Sequence, residues 1–296
     1  MTNLREYLAK EKPNLSASSI TTYNSILSNL YKKVYGDETI QLDKFKETEP
    51  ILKYLQDIPF NKRKTILSAL LLVSPNEKKY RDLMLQDIHS YNDEQNTQVK
   101  NEKQEHNWVD NNEIETKWEA LKKNAMILYK KQQKTIQDFQ EIQSFILLSV
   151  LGGKFTPPRR AKDFTDFKIK NIDKTKDNYI DKNQMVFNSF KTAKFYGEQK
   201  VTLPPELKKI LTKWIQVNPT EYLFFDSFFQ PLSSVKLNQR LNKLFDNKRI
   251  SVNALRHSYL SNKYQNTIDT NKALANDLTN MGSSIAQQKV YIKREP

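Results

Sequence analysis

Apolar side chains in the N-terminal part of the chain return at steps of three and four. Ile20, Tyr23, Leu27, Leu30 and Val34 share one stripe, which predicts a helix with Ser16 or Ser18 as its cap and Gly36 as its stop. A second helix is predicted around 49–56, ending near Pro59. A third runs from about Lys62 through Ile66, Leu67, Leu70, Leu71 and Val73 and stops before Pro75; a fourth, over 77–91, carries Tyr80, Leu83, Met84 and Ile88. Together they make a small helical domain over 1–91. The pattern then lapses: 92–107 holds one aliphatic residue, Val99, and reads as a linker or tether. A second domain is expected over 108–296. Helices are predicted at 111–131 and 134–151, the latter carrying Phe139, Ile142, Phe145 and Ile146. Between Asp166 and Leu203 the period changes, and Met185-Val186-Phe187 and Lys200-Val201-Thr202-Leu203 read as strands around a polar turn at Tyr196-Gly197-Glu198. From Pro205 the helical period returns, with Leu207, Ile210, Leu211, Trp214 and Ile215 on one stripe and Leu237, Leu241 and Leu244 on another. A helix through Asn253 is expected to turn Leu255 and Leu260 inward. The expected fold is mainly α with a small β-hairpin, in two domains.

Charge narrows the function. In 296 residues there are 48 Lys plus Arg against 34 Asp plus Glu, a formal charge of +14, and the pI is about 9.5. Such an excess points to a polyanionic partner, of which nucleic acid is the commonest. The absence of Cys removes disulfides, thiolate metal sites and a Cys nucleophile, and His89, His106 and His257 are too scattered for a His-rich cage. No metal and no cofactor are expected. The five glycines, Gly36, Gly152, Gly153, Gly197 and Gly282, cannot be written into GxGxxG or GxxxxGK[ST], so dinucleotide and P-loop readings fail. Met1 to Lys12 has no apolar run of the signal-peptide kind, and Ile66 to Val73 is too short to span a bilayer. An intracellular or virion setting is expected.

Three segments carry candidate chemistry. Thr156-Pro157-Pro158-Arg159-Arg160 follows a buried helix and Gly152-Gly153, and puts two arginines at what reads as a new helix start, suited to a phosphate. Asp163, three residues after Arg160, is placed to orient its guanidinium; a surface ion pair explains that spacing equally well. Asn253-Ala254-Leu255-Arg256-His257-Ser258 is the second segment. The third is Met281-Gly282-Ser283-Ser284, followed by Tyr291 among Lys289, Lys293 and Arg294.

In this order the segments resemble the tyrosine recombinases, or phage-type integrases, over nearly the whole chain. Residues 1–91 resemble the family's core-binding domain and 108–296 its catalytic domain. Arg160 with Asp163 resembles the first arginine and its acidic companion; Arg159 is the alternative register. Lys191 resembles the β-hairpin lysine, with Lys194 as its rival. Arg256 resembles the second arginine, Met281-Gly282-Ser283-Ser284 the M/L-G-H-S box and Tyr291 the nucleophile. Asn253 and Ser283 depart from the family, standing where imidazoles usually do; His257 replaces neither and reads as a support residue. The resemblance implies metal- and ATP-independent DNA cutting and rejoining through a 3′-phosphotyrosyl intermediate. Arg160 and Arg256 would neutralise the phosphate, and Lys191 would act as the acid. It also implies specific duplex target sites and a homo-tetramer on DNA. Lys62, Arg63, Lys64, Lys130, Lys131, Lys134 and Lys194 are expected to contact DNA phosphates. Two rival readings stand beside this one: a catalytically weakened DNA-binding relative, favoured by Asn253 and Ser283, and a relaxing enzyme of the type IB topoisomerase kind. A mobile-element or viral setting fits the Lys, Asn and Ile richness.

Overall fold

The computed structural model describes residues 3–36, 39–246 and 248–281, and the chain divides into two units, Met1–Val99 and Lys100–Pro296. In the first unit, α1 (Leu4–Glu11), α2 (Ala17–Tyr35), α3 (Thr48–Leu55), α4 (Phe60–Val73) and α5 (Lys78–Asn96) surround one core, with a 3-10 turn at Leu42–Lys46 before α3. The cap of α2 is Ser16, whose hydroxyl accepts from the Ser19 N–H at 3.2 Å. The helix ends at Gly36, where φ is +83° and a side chain would be strained. Leu27, Leu30, Tyr31, Phe45, Ile51, Leu55, Leu67, Leu70 and Tyr80 are buried together. The Tyr80 hydroxyl donates to the Phe45 carbonyl at 2.9 Å, and burial raises its pKa. α1 was not expected: only Leu4 and Leu8 are buried on it, too few for a periodic signal. α5 runs on through Asn92 to Asn96, into the segment read as a linker, with exposed side chains there.

The second unit opens with α6 (Glu102–His106), closed by a capping box between Asn101 and Gln104. α7 (Asn111–Tyr129) and α8 (Ile136–Leu151) follow. α8 is the unit's central element: from Ile142 to Leu151 every side chain is buried, each large apolar one contributing about 1.5–3 kcal/mol. Two of its polar side chains accept bonds inside, Ser149 from the Trp118 indole N–H at 2.9 Å and Gln143 Oε1 from the Phe225 N–H at 2.8 Å. A 3-10 turn, Ala161–Phe164, stands where a new helix was expected. Then β1 (Tyr179–Asp181), β2 (Gln184–Phe187), a single turn α9 (Ala193–Tyr196) and β3 (Gln199–Thr202) form an antiparallel sheet in the order β1-β2-β3, with Val186 opposite Tyr179 on one side and Lys200 on the other. β1 was not expected either; it is three residues long and too short to show alternation.

α10 (Pro205–Val217), α11 (Ser234–Leu244) and α12 (Val252–Asn280) complete the unit. Trp214 of α10 lies flat against Phe225 at 6.1 Å and donates to the Leu223 carbonyl at 2.9 Å. On α12, Leu255 is buried, but Leu260, expected to face inward, is 53% exposed. The helix leaves the core near Tyr259, and beyond that point the predicted stripe has nothing to cover. Tyr259 itself is held by backbone: Gly153 has φ +82°, and a Cβ there would come within 2.7 Å of the tyrosine ring. The architecture is thus mainly α with a small three-stranded sheet. Among the described residues no helix is long and apolar enough to cross a membrane.

Two measurements check this packing. Gly153→Ala should lower stability by more than about 1 kcal/mol, since it combines a left-handed backbone with a clash against Tyr259; urea unfolding reads the loss. The second concerns Glu221, whose carboxylate accepts from Lys168 and, at 3.0 Å, from Asn171. These bonds, Lys168 first, lower its pKa from 4.5 to about 2. Because the folded value is the lower one, its contribution is complete above the unfolded pKa near 4.5 and is lost as pH falls through about 2. The stability gap between wild type and Glu221→Gln should therefore be full at pH 6 and shrink toward zero near pH 2, as followed by unfolding midpoints.

Candidate active site

Four chain segments meet around a cavity of about 460 Å³ in the second unit. The 3-10 turn brings Arg160 and Lys162, the segment after β2 brings Lys191, α11 brings Asn238, and the start of α12 brings Ser251, Val252, Asn253 and Arg256. Each segment is fixed from below. Arg160 is the last extended residue before the turn, with φ −69° and ψ 151°. Consecutive side chains of an extended segment point to opposite sides, and here the two arginines separate accordingly. Arg159 turns inward: its guanidinium lies 3.9 Å from the Phe187 ring centre, donates from Nε to Asp163 Oδ2 at 2.9 Å and from Nη1 to Gln199 Oε1 at 2.8 Å. Arg160 lines the cavity. Asp163 thus pairs with Arg159, four residues before it, and not with the Arg160 guanidinium that the spacing suggested.

Burial pushes the Asp163 carboxyl above its ordinary pKa, although Arg159 beside it pulls the other way. Its Oδ1 is buried without a hydrogen-bond partner in the structure. Asn178 ties this turn to the hairpin. Its Nδ2 donates to the Asp163 and Ser189 carbonyls at 2.9 and 2.8 Å, and its Oδ1 accepts from the Asn188 and Ser189 N–H groups at 2.9 and 2.8 Å. Two residues on, Phe190 is buried and Lys191 exposed at the cavity. Lys194, the rival to Lys191, stands exposed on α9 and does not line the cavity.

The α12 side is fixed by Asn238, which accepts from the Val252 N–H at 3.1 Å, and by Ser251, whose hydroxyl accepts from the Ala254 N–H at 3.3 Å. Asn253 Oδ1 accepts from Arg256 Nη1 at 3.0 Å and so aims that guanidinium. Burial, and after it the charge of Arg160, lowers the Arg256 pKa; Arg159 adds to the effect and Asp163 opposes it. The guanidinium stays protonated regardless. His257 lies exposed on another cavity of about 250 Å³ with Trp108 and Arg249, which shares Ser251 and Asn253 with the first. Ser283 and Tyr291 lie outside the described residues.

The cations expected to touch DNA differ in their surroundings. Arg63 is bound to Asp87 through Nη2 at 2.7 Å and Nε at 2.9 Å, within the first unit's core. Lys64 lies over the Tyr91 ring. Lys131 is paired with the largely buried Asp138 at 2.6 Å, and Lys134 donates to the Lys131 carbonyl at 2.7 Å. Lys62 and Lys130 are exposed. A larger cavity of about 620 Å³ between α8 and α11 contains none of the sequence-predicted residues; Lys236 is paired there with Asp226 at 2.7 Å. Among the described residues no group of three His, Cys, Asp or Glu side chains is placed to hold a metal ion. Sequence reasoning passed over Lys162, Asn178, Asn238 and Ser251. For Lys162 a signal existed, its place beside Arg160; for Asn178 and Asn238 none did.

No protein-family model matches the chain, and no curated protein matches it in sequence. Among solved structures it is similar to the XerA recombinase, at 15% identity over 89% of this chain and 83% of that one, with a TM-score of 0.36. It is similar to a lambda integrase dimer bound to a COC′ core site, at 12% identity over 88% and 69% of the two chains, TM-score 0.45. It is also similar to the XerH site-specific recombinase bound to its difH substrate in a pre-cleavage complex, at 16% identity over 88% and 72%, TM-score 0.42. Likeness at this level assigns no side chain, and the site stands on its own geometry.

Asp163 provides the test of that geometry. Asp163→Ala should cost about 3–5 kcal/mol, because it strands a largely buried guanidinium. Asp163→Asn should cost clearly less, since an amide oxygen still accepts from Arg159 Nε and the guanidinium keeps that hydrogen bond. Thermal and urea unfolding of the two variants measure the difference.

Proposed function

We propose that this chain is a site-specific DNA recombinase or integrase of the tyrosine recombinase kind. It would cut and rejoin duplex DNA through a 3′-phosphotyrosyl link, without metal or ATP. The observation that supports this reading is the gathering of Arg160, Lys191, Asn253 and Arg256, far apart in sequence, on one cavity. These are the residues that the resemblance assigns to one reaction.

The chemistry follows from the side chains. The Tyr291 phenolate attacks the scissile phosphorus, forming a P–O(Tyr) bond, and the P–O5′ bond breaks. Negative charge grows on the non-bridging oxygens in the pentavalent transition state. Arg160 and Arg256 both line the cavity, Arg256 aimed by Asn253, and both are charged before the substrate arrives. Lys191 gives its proton to the departing 5′-oxygen. Tyrosine has an ordinary pKa near 10, so the cationic surroundings favour the phenolate. The phosphotyrosyl link keeps the energy of the broken phosphodiester, and a second 5′-hydroxyl reverses the step on a new partner strand. Asn253 cannot deliver a proton as a cationic acid, and its contact with Arg256 gives it a positioning role instead. Target-specific binding and a tetramer on DNA belong to this proposal. Lys62, Lys130 and Lys194, all exposed, are the cations left to phosphate contacts along the duplex.

The test is covalent trapping. Nicked duplexes tiled from the DNA flanking the chain's own coding region, incubated in EDTA without nucleotide, should give a denaturant-stable protein–DNA adduct. Tyr291→Phe should abolish it, and Arg256→Ala should slow it by at least about 10²-fold. Tight binding with no adduct on any duplex would overturn the enzyme in favour of a DNA-binding relative.

A further inference from the structure

Four cations line the cavity, Arg160, Lys162, Lys191 and Arg256, and no carboxylate lines it with them. The proposed chemistry uses three. We propose that the fourth, Lys162, is a further catalytic residue whose ammonium binds a non-bridging oxygen of the scissile phosphate. This rests on the reading of the cavity as a DNA-cleaving site.

The surroundings of Lys162 favour this role. Its backbone is fixed: the Lys162 carbonyl accepts from the Thr165 hydroxyl at 3.0 Å, inside the turn that also presents Arg160. Its side chain is exposed at the cavity and forms no ion pair among the described residues. The carboxylate nearest in sequence, Asp163, is directed away from it to Arg159. An unpaired ammonium lining the same cavity as two guanidinium groups adds to a positive charge that no carboxylate in the lining offsets. Arg256 already registers the charge of Arg160 in its lowered pKa. An anion relieves that repulsion, and the relief grows with the anion's charge. A phosphodiester carries one negative charge and the phenolate brings a second, so the transition state draws on a fourth cation more than the bound duplex does. Lys162 should therefore act on rate rather than on affinity.

Lys162 shares its turn with Arg160, whereas Lys191 reaches the cavity from the turn after β2. Lys162 is thus assigned to the non-bridging oxygens together with Arg160, and Lys191 to the leaving oxygen. Lys162 gives up no proton: the P–O(Tyr) bond forms, the P–O5′ bond breaks, and O5′ takes its proton from Lys191.

A 5′-bridging phosphorothiolate separates the two lysines, because a departing thiolate needs no acid. Adduct formation by wild type, Lys162→Gln, Lys162→Arg and Lys191→Gln should be timed at saturating protein on paired phosphodiester and phosphorothiolate duplexes, with DNA affinity measured in parallel. Lys162→Gln should slow the step by about 10²-fold on both duplexes with affinity changed less than threefold, and Lys162→Arg should recover most of the rate. Lys191→Gln should be slow on the phosphodiester and recover on the phosphorothiolate. A wild-type rate for Lys162→Gln overturns the proposal. So does a defect that disappears on the phosphorothiolate, which would make Lys162 the acid. Absence of any adduct from wild type on either duplex overturns the proposed function itself, and the Lys162 assignment with it. Unchanged unfolding midpoints show that the exposed substitution leaves the fold intact.

Discussion

One buried amide holds the cavity of the second unit in register. Asn178 uses both faces of its side chain, donating to the backbone of the arginine-bearing turn and closing the chain just after β2. Buried polar groups without partners cost about 1–3 kcal/mol each, so this arrangement is close to all-or-none. Helix packing alone would set the turn and the hairpin near each other. It would not fix which residue after β2 stands over the cavity, and that one-residue question separates Lys191 from its neighbours.

The second constraint is electrostatic. Two unit charges 4 Å apart repel by roughly 1–4 kcal/mol between bulk water and a protein surface, and the cavity gathers four of one sign. The scaffold compensates with neutral contacts and distance. Arg256 is aimed by an amide oxygen, Arg160 by the extended backbone that precedes its turn, and Lys191 by a buried phenylalanine beside it. The carboxylate in the neighbourhood, Asp163, is drawn beneath the surface by Arg159 and leaves the cavity uniformly positive. The twin arginines therefore divide the work, one holding the fold and one facing the solvent.

That division marks the limit of what the sequence made legible. Long amphipathic stripes, such as Leu207 to Trp214, read directly as helices because periodic burial is a local property of the chain. The candidate cations were legible by residue type and order. The pairing of Asp163 was not, because Arg160 at i,i+3 and Arg159 at i,i+4 are both within reach by spacing, and only the extended backbone up to Arg160 separates them. Leu260 misled as well: the stripe continues in the sequence after the core has ended. Arg63 and Lys131 looked like surface charge and are engaged by Asp87 and Asp138. A buried acid beyond helical-neighbour spacing, 24 residues away for Arg63 and 7 for Lys131, leaves no mark on the basic residue it will meet. Asn178 and Asn238 carry no signal in one sequence, since nothing distinguishes a structural asparagine from a loop one until its partners are in place.

The helix α12 has two regimes along its 29 residues. Its first turns are wedged into the unit, with Leu255 and Ser258 buried and Tyr259 against Gly153. From Asn262 through Thr267 every side chain is exposed. Helices gain most of their stability from tertiary packing, so the packed first turns are held more firmly than the exposed stretch from Asn262 to Thr267. Amide hydrogens near Arg256 should therefore exchange with solvent more slowly than those between Asn262 and Thr267. The arginine of the cavity thus sits on the packed turns of its helix and not on the exposed stretch beyond them.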